Sequence, residues 1–210
     1  MNNSKCKICR RLGTKLFLKG ERCFSSKCAM VKRPYLPGQK GKRSRRRSVS
    51  DYGKLAKEKQ KLKKLYNLQE QQFRHYVKEI LKYRGKGKDI SAILVRKLES
   101  RLDNIIFRMG FSSSRTQARQ LVSHGHFLVN NRPVNIPSYQ TKQGDVINIH
   151  SSSLKKNIFQ NLQNNLKKYQ PPSWISLDLG KLEGKIIGLP EMEEVNLPVE
   201  VSAIFEFYSK

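Results

Sequence analysis

Cys6, Cys9, Cys23 and Cys28 stand as two pairs within the first 28 residues, and no cysteine occurs in the remaining 182. The spacing is C-x2-C, thirteen intervening residues, then C-x4-C, which is the pattern of two ligand pairs closing on one metal ion. Lys5, Lys7, Arg10 and Arg11 lie beside the first pair, and their charge favours the thiolate form that binds metal. Four thiolates suit structural zinc; a [4Fe–4S] cluster accepts the same donors, and spacing does not separate the two. With all four positions filled by protein, no coordination site stays open for catalysis. Structural zinc supplies about 10–16 kcal/mol of folding free energy in small peptides, enough to order a segment poor in apolar residues.

Cations form the second chemical feature. From Lys40 to Lys64 there are 12 Lys/Arg against Asp51 and Glu58. Lys40, Lys42, Arg43, Arg45, Arg46 and Arg47 come first, followed by Lys54, Lys59 and Lys61. Guanidinium forks match phosphate oxygens in pairs. The third feature lies between Arg101 and Ile149. There a Ser-capped helix carries Arg115 and Arg119 opposite Leu121 and Val122. Its N-terminus, at Ser113 and Ser114, is placed to offer backbone N–H groups to a phosphate.

These features need elements to hold them. Residues 1–50 are punctuated by Gly13, Gly20, Pro34, Pro37, Gly38 and Gly41, which predicts loops and no long periodic element. Gln39–Ser48 has no apolar residue and is expected to lack structure of its own without a partner. Ser50-Asp51 is an N-cap pair for a helix bearing Leu55, Leu62 and Leu65. A second helix places Phe73, Val77, Ile80 and Leu81 on one face, and Gly85-Lys-Gly87-Lys is a break. A single helix is predicted over Ile90–Met109 and ends at Gly110. A short one follows, with Ala118, Leu121 and Val122 as its buried stripe, and it stops at Gly125.

After Gly125 the period changes to strands at Phe127–Val129 and Val146–Ile149, with Asn130-Asn131 as a turn. An amphipathic helix with Ile158, Phe159, Leu162, Leu166 and Tyr169 is predicted up to Pro171. The stretch from Trp174 onward is weakly specified. Phe73, Val77, Leu98, Leu102, Ile105, Leu121 and Val129 are the expected core markers.

Overall charge points the same way as the local features. The 210 residues carry 43 Lys/Arg and 16 acids, a net charge of +27. Self-repulsion on this scale opposes compaction, and solubility needs a net charge of only about 2–8. A polyanionic partner accounts for the excess. Residues 1–50 hold 16 of the cations and one acid, Glu21, whereas residues 170–210 hold 3 cations and 7 acids. One end therefore suits nucleic acid and the other a protein neighbour.

The R-x-x-A-R-x-L-V-x-x-G pattern from Arg115 to Gly125, followed by V-N-x-R-x-V, resembles the RNA-binding module named after ribosomal protein S4. RRLGTKLFLKG (10–20), the 36–66 stretch beginning LPGQKGKRSRRRS, QFRHYVKEI (72–80), RLDNIIFRMGF (101–111), VNIPSYQ (134–140) and FEFYSK (205–210) extend the resemblance. It reaches nearly end to end, to the bacterial type of the small-subunit ribosomal S4 family.

The resemblance implies a mainly α fold with a small α+β S4-type module inserted, and a loop-rich, metal-binding N-terminal extension. The expected domains are 1–50, 51–91 together with 156–210, and 92–155 as the insert. Binding to the 5′ domain of small-subunit (16S-type) ribosomal RNA early in assembly is implied, as is an influence on translational accuracy. Implied neighbours are the fifth and third small-subunit proteins and the mRNA where it enters the subunit. By position Arg43, Arg45, Arg46 and Arg47 would meet the message. Lys59, Arg74, Arg115, Arg119 and His124 lie in motifs that face ribosomal RNA in relatives. Arg10, Arg11, Lys40, Lys42, Lys54, Lys61, Ser114 and Arg132 complete the candidate set. Some relatives lack the four cysteines, so metal dependence is a claim about this chain alone.

Other classes fit poorly. Gly85-Lys-Gly87-Lys88 lacks the G-x4-G-K-[ST] spacing of a phosphate loop. His75, His124, His126 and His150 have no nucleophile or carboxylate at motif spacing, and His124 and His126 read as RNA-contacting or exposed. Modification enzymes that carry the same module need a further catalytic domain for which there is no room, so no small-molecule substrate is expected. No apolar run approaches the roughly 20 residues of a membrane helix, and the first residues lack the apolar segment of a signal peptide. Thiols in a chain without a secretion signal argue for a reducing compartment, the cytoplasm by default, and a compartment derived from bacteria also fits.

Overall fold

The computed structural model describes residues 4–38, 50–84, 89–167 and 169–209. Lys40, Lys42, Arg43, Arg45, Arg46, Arg47 and the break at 85–88 lie outside the described residues. The chain divides into two compact units, Met1–Leu94 with Leu197–Lys210, and Val95–Asn196.

The first unit contains α1 (Ser4–Leu12), a 3-10 turn (Gly20–Cys23), α2 (Ala29–Lys32), α3 (Asp51–Leu65) and α4 (Glu70–Leu81). The boundary falls inside α5 (Ile90–Glu99). The second unit continues with α6 (Leu102–Arg108), α7 (Arg115–Ser123), β1 (Phe127–Val129), β2 (Arg132–Pro133), β3 (Val146–Ile149), α8 (Ser151–Leu154), α9 (Asn157–Gln160), α10 (Leu162–Leu166), β4 (Ile175–Asp178) and β5 (Glu183–Ile186). α11 (Val201–Ser209) rejoins the first unit, packing on α3 and α4.

In the first unit α3 starts where capping chemistry predicts. The Ser50 hydroxyl accepts from the Gly53 N–H at 3.2 Å. The helix ends at Asn67, whose φ of 53° is the left-handed conformation that asparagine tolerates. α4 buries Phe73, Tyr76, Val77 and Ile80, a stripe at i, i+3, i+4 and i+7. The nine-residue α1 is an addition to the loop-rich expectation.

In the second unit the helix predicted over 90–109 is broken in two. The Ser100 hydroxyl donates back to the Arg96 carbonyl at 2.7 Å. The Tyr139 and Pro137 carbonyls then accept from Leu102 N–H and Asp103 N–H at 2.9 and 3.2 Å. A long-range loop thus takes the first donors of α6 that a continuous helix would have bonded to itself.

All pairings in the sheet are antiparallel, in the order β2-β1-β3-β5-β4. Asn130 and Asn131, at φ 50° and 62°, make the left-handed two-residue turn that a tight hairpin requires. Phe127, Val129, Ile147, Ile149, Ile175 and Ile186 point from the sheet into a core shared with α6 and α7. Gly184 lies under Met109, and a Cβ there would run into the thioether.

Two expectations for the tail change. The helix predicted up to Pro171 appears as the short α8, α9 and α10; Phe159, Leu162 and Leu166 are buried but Ile158 is exposed. β4 and β5 were not foreseen. β5 pairs with β3, and Trp174 enters the same core, so residues 156–196 group with the second unit and not with the helical domain. All seven expected core markers are buried, none more than 3% exposed.

Gly110 sits at φ 78°, and a Cβ on it would lie 2.8 Å from Tyr169 Cδ1; Gly125, at φ 70°, has open space. Both substitutions to alanine carry the left-handed penalty of about 1–2 kcal/mol. Only Gly110→Ala adds a clash. In urea titrations followed by Trp174, the only tryptophan, Gly110→Ala should lower the midpoint more than Gly125→Ala. Equal losses would contradict the packing.

Candidate nucleic-acid interface

In the first unit the four cysteines converge. Cys6, Cys9, Cys23 and Cys28 line one cavity together with Leu16 and Phe17. Cys9, Cys23 and Cys28 are buried, Cys6 is half-buried, and none forms a disulfide. Burial pushes the Cys9 thiol up, against a backbone hydrogen bond from Leu16, and the other three cysteines add to the rise. The Lys19 N–H donates to Cys23 Sγ at 3.4 Å. Backbone donors aimed at sulfur, and four like donors around one cavity, suit a thiolate-bound ion in kind. Among the described residues, however, no three Cys, His, Asp or Glu side chains already form a ligand shell.

The cations divide into two populations. Lys59 and Lys63 are buried on α3, and both grip Glu70 of α4, at 2.7 and 2.5 Å. Lys59 also lies 4.3 Å from the centre of the Phe207 ring on α11. The Tyr208 hydroxyl donates to Glu70 at 3.1 Å. Partial burial opposes ionisation of Glu70, but hydrogen bonds and charge from Lys59 and Lys63 outweigh it and hold its carboxyl at about 2. Lys61 pairs with Glu58 and Lys54 with Asp51. Arg10 donates to the Tyr35 and Leu36 carbonyls at 2.9 and 3.3 Å and stacks on the Tyr35 ring. Arg11 and Arg74 project into solvent, as do Lys7, Lys57 and Lys78.

The second unit repeats the division. Glu99, fully buried, accepts from Arg108 Nε and Nη2, each at 2.9 Å, and from Asn104 Nδ2 at 2.7 Å. Arg115 donates to Asn104 Oδ1 at 2.7 Å, lies 3.7 Å from Glu99 and covers the Phe107 ring. Arg101 and Asp103 form a buried pair at 2.7 Å. Burial raises the Asp103 carboxyl, opposed by Arg101 and then by Arg119. Arg115 therefore turns toward an acid inside its own unit, and the charge of Arg119 acts on Asp103.

Ser114 is buried, and its hydroxyl caps α7 by accepting from Gln117 N–H at 3.3 Å. Gln117 reaches back to Ser113 N–H at 2.9 Å, a reciprocal cap. Two of the donors expected to face a phosphate are thus already used. His124 and Arg132 are exposed. His126 is buried instead, Nδ1 2.8 Å from Ser153 Oγ, and burial together with Lys156 and His124 lowers its pKa.

The internal carboxylate network was missed in the sequence. Its only trace was polar residues interrupting an apolar helix at Glu99–Asn104. For Lys59 and Lys63 the trace was their place on the face of Leu55 and Leu62.

Comparisons with known proteins follow the same layout. A family described as the ribosomal protein S4/S9 N-terminal domain matches residues 1–99, and the S4 domain matches residues 100–147. A helical segment leading into an S4 domain is the build of a ribosomal protein class. Small ribosomal subunit protein uS4 of Caldicellulosiruptor bescii is 46% identical over 206 residues, covering 98% of this chain and 96% of the relative. The Solidesulfovibrio magneticus protein is 47% identical over 208 residues (99% and 97%), and that of Thermus thermophilus 45% over 205 (98% and 96%). The chain belongs to the uS4 family of small-subunit ribosomal proteins, whose members are structural and not enzymatic.

Because the folded pKa of Glu70 is depressed, its stabilising effect is complete above about 4.5 and is lost as pH falls from there toward about 2. Glu70→Gln should flatten the stability-versus-pH curve in that window and lower stability at pH 7. An acid limb unchanged by the substitution would contradict the pairing.

Proposed function

We propose that the chain is a structural constituent of the small ribosomal subunit in the cytoplasm, where it binds ribosomal RNA. The observation that carries this reading is the division of cations on a chain of uS4 descent. Glu70, Glu99 and Asp103 are engaged with lysines and arginines of their own unit, while Arg11, Arg74, Arg132 and other cations face outward. Outward cations bind by displacing counterions from phosphates, which gives affinity with a steep salt dependence. The S4-type unit supplies an RNA-binding surface beside the exposed hairpin at Asn130–Arg132.

Finer assignments rest on the family resemblance. They are early binding to the 5′ domain of 16S-type RNA, an effect on accuracy, contact with the fifth and third small-subunit proteins, and contact of Arg43, Arg45, Arg46 and Arg47 with entering mRNA. The acidic tail favours the protein contacts. On Cys6, Cys9, Cys23 and Cys28 we place a structural zinc ion, with a [4Fe–4S] cluster as the alternative. The ion would pin the loops between α1 and α2.

In filter-binding titrations against small-subunit RNA, Arg11→Gln and Arg74→Gln should each weaken binding. Each should reduce the slope of log K on log salt by about 0.7–0.9 and leave the urea midpoint unchanged. Lys59→Gln should instead lower the midpoint, since it leaves Glu70 under-paired. The reverse pattern would contradict the assignment.

Elemental analysis should find one zinc per chain, or four irons for the cluster, and Cys9→Ser should abolish it. Metal-free wild-type protein with an ordered N-terminal segment would overturn the metal.

A further inference from the structure

The phenyl rings of Phe17 and Phe24 stack on one another with centroids 4.9 Å apart and planes 27° from parallel. Both are exposed, Phe24 by 76% and Phe17 by 39%. An exposed aromatic pair beside the cysteine cavity contributes little to folding, so its geometry calls for a reason. The backbone supplies one. Phe17 sits at φ 51°, a left-handed conformation that is unfavourable for a bulky side chain. Its neighbours Leu16 and Leu18 are both buried. The local twist turns these two leucines inward and sends the intervening ring out, beneath Phe24 at the end of the 3-10 turn.

The surroundings select the occupant. Residues 4–38 hold ten Lys/Arg and one acid, Glu21. Lys15 and Lys19 lie two residues either side of Phe17, and the exposed Arg22 and Lys27 flank Phe24. An apolar protein groove would not be matched by such a collar of charge. An unpaired nucleobase with its phosphates would be, with the base stacked on the ring and the phosphates within reach of the cations.

We propose that Phe24, backed by Phe17, is a stacking platform for an unpaired base of ribosomal RNA, additional to the phosphate contacts of the helical units. The proposal rests on the chain binding small-subunit RNA. Phe24 is the residue that touches the base, and Phe17 positions it.

The test uses the full chain as isolated and naked small-subunit RNA, with Phe24→Ala, Phe24→Leu and Phe24→Trp. One stacked base corresponds to about a 5- to 150-fold effect on affinity. Alanine and leucine should both weaken binding within that range, and tryptophan should bind as wild type or tighter. The salt slope should stay unchanged, because no phosphate contact is lost. Urea midpoint and metal content should match wild type in all three. Wild-type affinity in the alanine variant would overturn the platform while leaving RNA binding intact. Rescue by leucine would overturn it in favour of a merely apolar contact. A defect seen only when other ribosomal proteins are present would overturn it in favour of a protein partner. Failure of the wild type itself to bind would remove the RNA-binding reading and the platform with it.

Discussion

Like-charge repulsion is the constraint on which this structure depends. With 43 Lys/Arg against 16 acids, the carboxylates at the helix junctions, one half-buried and one fully buried, each hold more than one donor. Glu70 holds Lys59, Lys63 and Tyr208, and Glu99 holds Arg108, Asn104 and the edge of Arg115. At Glu99, which is fully buried, removing one partner leaves an uncompensated charge at a cost of about 3–5 kcal/mol; at the half-exposed Glu70 solvent screens the charge and the cost is smaller. The two hubs therefore fix where helices meet: Glu70 joins α3, α4 and α11, and Glu99 joins α5, α6 and α7. Apolar packing supplies the bulk of each core, while the carboxylates make cores possible beneath so basic a surface.

That arrangement gives the surface its function. Cations turned inward are matched by acids close to them, and those turned outward retain their charge for phosphate. Arg115 and Lys59 belong to the inward group although their sequence neighbourhoods resemble RNA-facing motifs. Arg11, Arg74 and Arg132 belong to the outward group. The family motifs therefore mix residues that hold the unit together with residues that face solvent.

Periodicity made most of the helices legible. Leu55, Phe73, Val77, Leu98, Ile105 and Leu121 were placed from spacing alone, and Ser50, Ser114, Gly110 and Gly125 from the chemistry of helix ends. The break after Ser100 was hidden because its cause lies at Pro137 and Tyr139, nearly 40 residues away. β4 and β5 were hidden for a related reason. They are four-residue strands whose pairing with β3 is long-range, and Gly184 is there to admit Met109. In the candidate interface the cysteines were plain from spacing, whereas the inward turn of Arg115 and Lys59 was not. A charged side chain in sequence carries no mark of which way it points until its carboxylate partner is located.

The most direct measurement is the reactivity of individual lysines toward an amine-modifying reagent, read by mass spectrometry, for the protein alone and bound to small-subunit RNA. Lys59 and Lys63 should react slowly in both states, while Lys7, Lys57 and Lys78 should be reactive alone and protected by RNA. If Lys59 and Lys63 were reactive in the free protein and shielded only by RNA, the partition of charge described here would be contradicted.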